Sequence, residues 1–287
     1  MSYVKILAPL TGGTRDATVL ASAFAAAKPF NAHVVALFIR PDPTEAMPFF
    51  GEGVSGIVVQ EIVDAAKDAA DKAAIDARAA LKLAADEGGV TLLDTAEMRD
   101  VPTASFREMQ GNFADCVTRA SRLVDLVVFG PLKETDKPGL ADAFEAALIE
   151  TGRAMLLTAQ VPPKNFARKI AIGWDGSVNC ARAVTAAIPY LKRADSIEVL
   201  TIHSGEEPDF CADICEYLKL HKLVCNLHVV SPDGRATGAA LLAAAAERKA
   251  GLLVLGGYGH SRLREIFVGG VTKHVVSHSE LPLFVVH

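Results

Sequence analysis

The sequence predicts an α/β protein built from two tandem domains, each a five-stranded parallel sheet flanked by helices. Three observations carry this reading. The chain has 287 residues, enough for about two domains at roughly 150 residues each. It also repeats itself. The segment from Val4 to Leu10 aligns with that from Arg168 to Trp174 at an offset of 164 residues, and the same offset lays His33 to Ile39 on Ile197 to His203 without a gap. Finally, short apolar runs alternate with helix-forming stretches, the pattern of a parallel sheet buried on both faces.

Each repeat opens strand, helix, strand. The helices, from Ala17 to Lys28 and from Ala181 to Lys192, are rich in alanine, the residue that loses least on entering a helix. Further on, Asp125 to Gly130 resembles Gly251 to Gly256, and each follows a helical stretch. Each repeat then closes on an apolar strand, from Ala154 to Thr158 and from Pro282 to His287. Between them, Gln160 to Asn165 contains Pro162-Pro163, which resists both helix and central strand. That linker sets domains at 1–160 and 167–287. The first repeat carries an additional Pro/Gly-rich loop, Arg40 to Gly56, and a helix from about Gln60 to Glu87 that stops at Gly88-Gly89. Its Lys and Asp positions read as the solvated face of a covering helix, with a partner-binding helix as the alternative.

Composition excludes several classes of function. With 51 % hydrophobic and 22 % charged residues, the chain is too apolar for disorder. The longest uncharged Ala/Leu stretch, Thr237 to Ala246, falls well short of the ~20 residues that span a bilayer, so no membrane partner is expected. A net charge of −5 gives a nucleic-acid backbone no positive field to bind. The five cysteines (Cys116, Cys180, Cys211, Cys215, Cys225) form no CxxC pair, and the opening MSYVKILAPL lacks the pattern of a secretory leader. A reducing, cytoplasmic setting is the expectation.

In an open parallel sheet, ligands bind beyond the carboxyl ends of the strands. The second repeat places Trp174-Asp175-Gly176-Ser177, His203-Ser204-Gly205 and Ser231-Pro232-Asp233-Gly234 after its first three strands. After the fourth comes the Gly-rich run from Gly256 to Lys273. Glycines let backbone N–H groups approach an anion. Gly269-Gly270 opens a last helix, Val271 to His278, whose first turn has unpaired donors and a positive dipole end. Thr272 adds a hydroxyl, and Arg262, Arg264 and Lys273 add charge.

These residues resemble the universal stress protein family, in the form with two such domains in one chain. Nucleotide-binding members carry glycine, two residues, glycine, nine residues, glycine, then Ser or Thr; here Gly256, Gly259 and Gly269 stand at that spacing, with Asp175-Gly176-Ser177 after the first strand. The resemblance implies Rossmann-like domains of the adenine nucleotide alpha hydrolase type. It also implies a stress-response binding protein that takes an adenine nucleotide, ATP or AMP, in its second domain, with Mg²⁺ accompanying ATP. The implied contacts are Asp175, His203, Gly256, Gly259, Gly269, Gly270, Val271 and Thr272, with Asp175 on the adenosine side. Because the family dimerises through its last strand, the duplication implies an intramolecular pseudo-dimer, besides a homodimer and a protein partner the sequence does not name.

One position departs from the pattern: the family's Ser/Thr is Gly270, which removes a phosphate-facing hydroxyl. The first repeat departs further. Thr11 replaces Asp175, Pro131-Leu132-Lys133 follows Gly130, and Ala141-Asp142 replaces Gly269-Gly270, so that repeat reads as degenerate. The alternatives to a binding protein are a weak ATP hydrolase or phosphoryl-transferring enzyme, and an interaction protein without a nucleotide. No Walker A, GxGxxG or GxSxG pattern occurs, and no catalytic residue is assigned; Asp175 and Asp233 alone suggest themselves as Mg²⁺ ligands. His274 and His278 have metal-ligand spacing but no companions, and read as helix-end residues. Cys211 and Cys215 share helical spacing and read as small buried hydrophobes, with a redox pair as the alternative. Trp174 reads equally as a base-stacking residue or a core edge.

Overall fold

The computed structural model describes residues 2–42, 56–132, 139–160, 166–205, 208–257 and 270–287. The linker at 161–165 and the loop following the fourth strand of the second repeat lie outside them. The chain divides into two units. One comprises Tyr3–Val128 and Lys137–Thr151, the other Met1–Ser2, Phe129–Asp136 and Gly152–His287.

The first unit runs β1 (Lys5–Leu10), α1 (Asp16–Ala27), β2 (His33–Arg40), α2 (Gly56–Gly88), β3 (Thr91–Leu92), β4 (Thr103–Gln110), α3 (Phe113–Ser121), β5 (Leu126–Phe129) and α4 (Leu140–Thr151). Its strands lie in the order β3-β4-β2-β1-β5, all parallel. β1, β2 and β5 are buried almost throughout, as a sheet covered on both faces requires. β4 is a finding the sequence did not flag. Thr-Ala-Ser-Phe-Arg-Glu-Met-Gln is buried only over its first three residues, yet it pairs with β2 along its whole length. The buried His33 fixes that pairing, its ring nitrogens 2.8 Å from Thr103 Oγ1 and 2.8 Å from Ser105 Oγ.

α2 is longer than the sequence suggests at both ends. Ala70, Ala74, Ala77, Leu81 and Ala85 are buried, and their spacing of three or four residues makes one apolar stripe, set against α1, β2 and β4. The helix ends before Gly89, whose φ of +63° is the left-handed cap that glycine adopts without strain.

The second unit continues with β6 (Ala154–Leu157), β7 (Lys169–Gly173), α5 (Val178–Leu191), β8 (Ser196–Ile202), α6 (Phe210–Leu220), β9 (Asn226–Val230), α7 (Thr237–Glu247), β10 (Leu252–Gly256), α8 (Gly270–His278) and β11 (Leu283–Val286). The order is β6-β11-β10-β7-β8-β9. All neighbours are parallel except β6, which runs antiparallel to β11 with Leu157 opposite Leu283 and Met155 opposite Val285. The strand that closes the first repeat in sequence thus pairs within the second unit. The core is knitted by Tyr190, which meets Phe166 and Phe284 edge-on at 6.1 Å each, the geometry ring quadrupoles favour.

Candidate functional site

From β7 the chain winds outward through β8 to β9, then crosses back to place β10 on the other side of β7. Connections leaving two adjacent strands in opposite directions open a crevice beyond their carboxyl ends. A cavity of about 350 Å³ lies there, within the lower part of the range of small-molecule pockets. Its floor is the ends of β7, β8 and β10, and its walls are the first turns of α5, α6, α7 and α8.

The turn from β7 into α5 is made by Asp175-Gly176-Ser177, and each residue has a folding task. Asp175 Oδ1 accepts the Ser177 N–H at 2.9 Å, an Asx turn. Gly176 has φ +74°, and a Cβ there would stand 3.0 Å from the Phe210 ring. Ser177 Oγ accepts the Cys180 N–H at 3.2 Å and so caps α5. The neighbouring Trp174 donates its indole N–H to the Phe210 carbonyl at 2.9 Å. It is therefore a tethered, half-buried wall of the cavity.

β10 ends at Gly256, where a Cβ would fall 2.5 Å from Cys180 N and 2.7 Å from the Asn179 carbonyl carbon. Only glycine admits the first turn of α5 this close to the strand. The next carbonyl, Gly257, accepts from the buried Asn179 amide at 2.5 Å, and His287 Nδ1 lies 3.1 Å from it. Thr272 Oγ1 is 3.5 Å from the Gly256 carbonyl, a long contact that leaves the hydroxyl weakly committed. At Gly270 an added Cβ would meet nothing among the described residues within 4 Å. Burial, and then the nearby Asp175 carboxylate, push the Cys180 thiol up to about 11. It is a packing residue rather than a nucleophile.

The cavity thus gathers Asp175, Gly256, Gly270, Val271 and Thr272. It does not gather His203, which is exposed, outside the lining, and holds Val230 O through its backbone N–H at 3.0 Å. Gly259, Gly269, Arg262 and Arg264 lie outside the described residues, and Lys273 is exposed. Sequence reasoning missed Asn179, Phe210, Thr237 and Leu241 as lining residues. Their available signal was position, since each falls in the first or second turn of a helix that follows a strand. Among the described lining residues Asp175 is the one carboxylate and no Lys or Arg occurs. Leu200, Ile202, Leu241 and Leu255 make the rest largely apolar. Such walls suit a flat apolar ring, with the N-terminus of α8 offering N–H donors at one end.

The corresponding turn of the first unit is filled from within. At the 164-residue offset, Asp16 stands where the second repeat has Cys180. It is 2 % exposed. Its carboxylate accepts from Thr11 N at 3.0 Å, Thr11 Oγ1 at 3.2 Å and Gly12 N at 2.8 Å. Burial raises its pKa above the ordinary value, against the pull of these donors. Gly12 has φ +73°, and a Cβ on it would lie 2.5 Å from the Ala73 carbonyl oxygen of α2. Donors and space are both taken.

Two further sequence features are placed. His274 and His278 stack with ring centroids 4.3 Å apart, and His278 Nδ1 donates to the His274 carbonyl at 2.9 Å. Cys211 is fully buried against Thr201 Oγ1 at 3.5 Å, facing the sheet rather than Cys215. Among the described residues no three His, Cys, Asp or Glu side chains are grouped to hold a metal, and no helix is long and apolar enough to cross a membrane.

Fold and cavity together define a Rossmann-like α/β protein with a crevice at its strand switch point. Residues 225–287 match the Universal stress protein family. A universal stress protein of Synechocystis sp. is 24 % identical over 199 residues, covering 67 % of this chain and 68 % of the relative. The chain is thus similar to universal stress proteins, by family match over its last 63 residues and by likeness to this relative over two thirds of its length, and its 287 residues fit a tandem form. A universal stress protein from Archaeoglobus fulgidus shares the fold with a TM-score of 0.65 at 15 % identity, over 98 % of this chain and 95 % of that one. A protein of unknown function from Pseudomonas aeruginosa does so with a TM-score of 0.59 at 12 % identity, over 99 % and 92 %.

Proposed function

We propose that the protein is a stress-response binding protein whose second repeat takes one adenine nucleotide, ATP or AMP, in the switch-point cavity. The observation that carries this reading is the convergence of Asp175, an apolar slot and the open N-terminal turn of α8 on one cavity, while the equivalent turn of the first unit is closed by Asp16 and Ala73. In this arrangement the base lies between the apolar walls and Asp175 accepts from a ribose hydroxyl or the base amino group. The phosphates lie toward Gly270, Val271 and Thr272, whose N–H groups and hydroxyl donate to them. Mg²⁺ would travel with ATP as its counter-ion. Occupancy of the cavity is then the signal passed to a protein partner in the cytoplasm.

Titration calorimetry of the full chain with ATP, AMP and adenosine tests this. One site per chain is expected. The Asp175→Asn variant keeps the oxygen that makes the turn and loses the charge. It should bind all three ligands several-fold more weakly, with an unchanged melting temperature. Two equal sites per chain, or no binding of any adenine compound, would overturn the reading.

A further inference from the structure

Cys215 lies midway along α6, and Cys225 immediately precedes β9. Their sulfurs are 3.7 Å apart. Both are partly exposed, whereas Cys116, Cys180 and Cys211 are buried. The two neighbouring thiols of the chain are thus also the two that a small solute can reach. Neither belongs to the cavity lining. From van der Waals contact, closing to a sulfur–sulfur bond of about 2.05 Å takes an approach of under 2 Å. None of the residues between α6 and β9 is buried, so this connection is able to give by that amount. α6 is fixed at its other end, where the Phe210 carbonyl accepts from Trp174.

We propose that Cys215 and Cys225 are a redox modification site, which a hydroperoxide converts to an intramolecular disulfide. The Cys215 thiolate attacks one peroxide oxygen, the O–O bond breaks, and Cys215 becomes a sulfenic acid while the second oxygen leaves as water or an alcohol. The Cys225 sulfur then attacks the Cys215 sulfur, the S–O bond breaks, and the hydroxyl departs as water with the Cys225 proton. Two thiols have lost two electrons and two protons to one peroxide. Geometry also assigns the order, because the Cys225 thiol donates its proton toward the Cys215 sulfur. Partial burial and the adjacent Cys215 sulfur hold the Cys225 thiol well above the ordinary range, which suits a resolving thiol rather than an attacking one. A small-molecule thiol reverses the bond by exchange.

The test uses the full chain, treated with hydrogen peroxide, quenched, alkylated and mapped by mass spectrometry. The expected product has lost two hydrogens and carries no alkyl group on Cys215 or Cys225, and dithiothreitol restores both alkylation sites. In Cys225→Ser, Cys215 should accumulate as a sulfenic acid that dimedone traps. In Cys215→Ser, Cys225 should remain a thiol. The site is disproved if wild-type Cys215 over-oxidises to the sulfinic acid while Cys225 stays alkylatable. It is also disproved if both thiols survive peroxide that oxidises free cysteine, or if the bond forms between two chains.

Discussion

Asp16 and Cys180 occupy one place in the two repeats, the start of the helix that follows the opening strand, and they give the preceding turns opposite characters. Asp16→Ala should destabilise the protein by about 1–3 kcal/mol, the cost of leaving buried N–H donors unmade, as read from urea denaturation. Gly270 is the mirror case, a position with room to spare. A Cβ at Gly270 meets no atom of the described residues within 4 Å, so Gly270→Ser should leave the melting temperature unchanged. It should tighten ATP binding about tenfold, or about 1.4 kcal/mol, and leave adenosine unaffected. Glu198, 7 % exposed on β8, supplies a pH dependence. Burial pushes its carboxyl up, but hydrogen bonds from His228 at 2.9 Å and Asn226 at 3.3 Å more than offset this, so the folded value lies below the ordinary one. The resulting stability is present above the usual carboxylate range and is lost as pH falls through the lowered value. The stability advantage of the wild type over Glu198→Gln should therefore be greatest near neutrality and fade in acid, as followed by thermal melts across pH. Part of the site was legible letter by letter: Asp175, Gly256, Gly270, Val271 and Thr272 do share one cavity. What letters do not reveal is double duty. Asp175-Gly176-Ser177 would be selected as a turn and a helix cap with no ligand at all, and Gly256 as the seat of α5.

At the scale of elements, α2 is the part that most distinguishes the first unit. Its Ala73 rests on Gly12 so closely that Gly12→Ala cannot be accommodated without displacing the helix. The φ of +73° adds strain of its own. Hydrogen exchange should show α2 amides losing protection in that variant while β1, β2 and β5 keep theirs, with a stability loss of about 1–3 kcal/mol. The helix was readable because its alanines recur at helical spacing from Ala65 to Ala85. So were β1, β2, β7, β8 and β10, whose runs of Val, Ile and Leu admit little else. β4 was not readable, because half of its residues face solvent and carry Arg, Glu and Gln. It is a strand through its neighbour, by eight residues of pairing with β2 and the two hydroxyls that flank His33. Local composition has no record of a partner seventy residues away.

At the scale of the molecule, the two α/β units have like strand orders but differ at the crevice. The turn in one is sealed by its own helix and carboxylate; the described residues of the other frame a cavity. The second repeat is nevertheless not self-sufficient, because β11 is flanked on its outer side by β6, a strand encoded before the linker. A fragment cut at the linker, residues 167–287, would present a bare hydrogen-bonding edge along Leu283, Phe284, Val285 and Val286, a ready template for another chain. Light scattering should find that fragment self-associated, with two β11 edges meeting antiparallel in the place β6 vacates. A fragment beginning at residue 152 restores the β6 pairing and should lose that β11–β11 contact. The few residues ahead of the linker are thus woven into the second sheet, a thread borrowed from the repeat that encodes them.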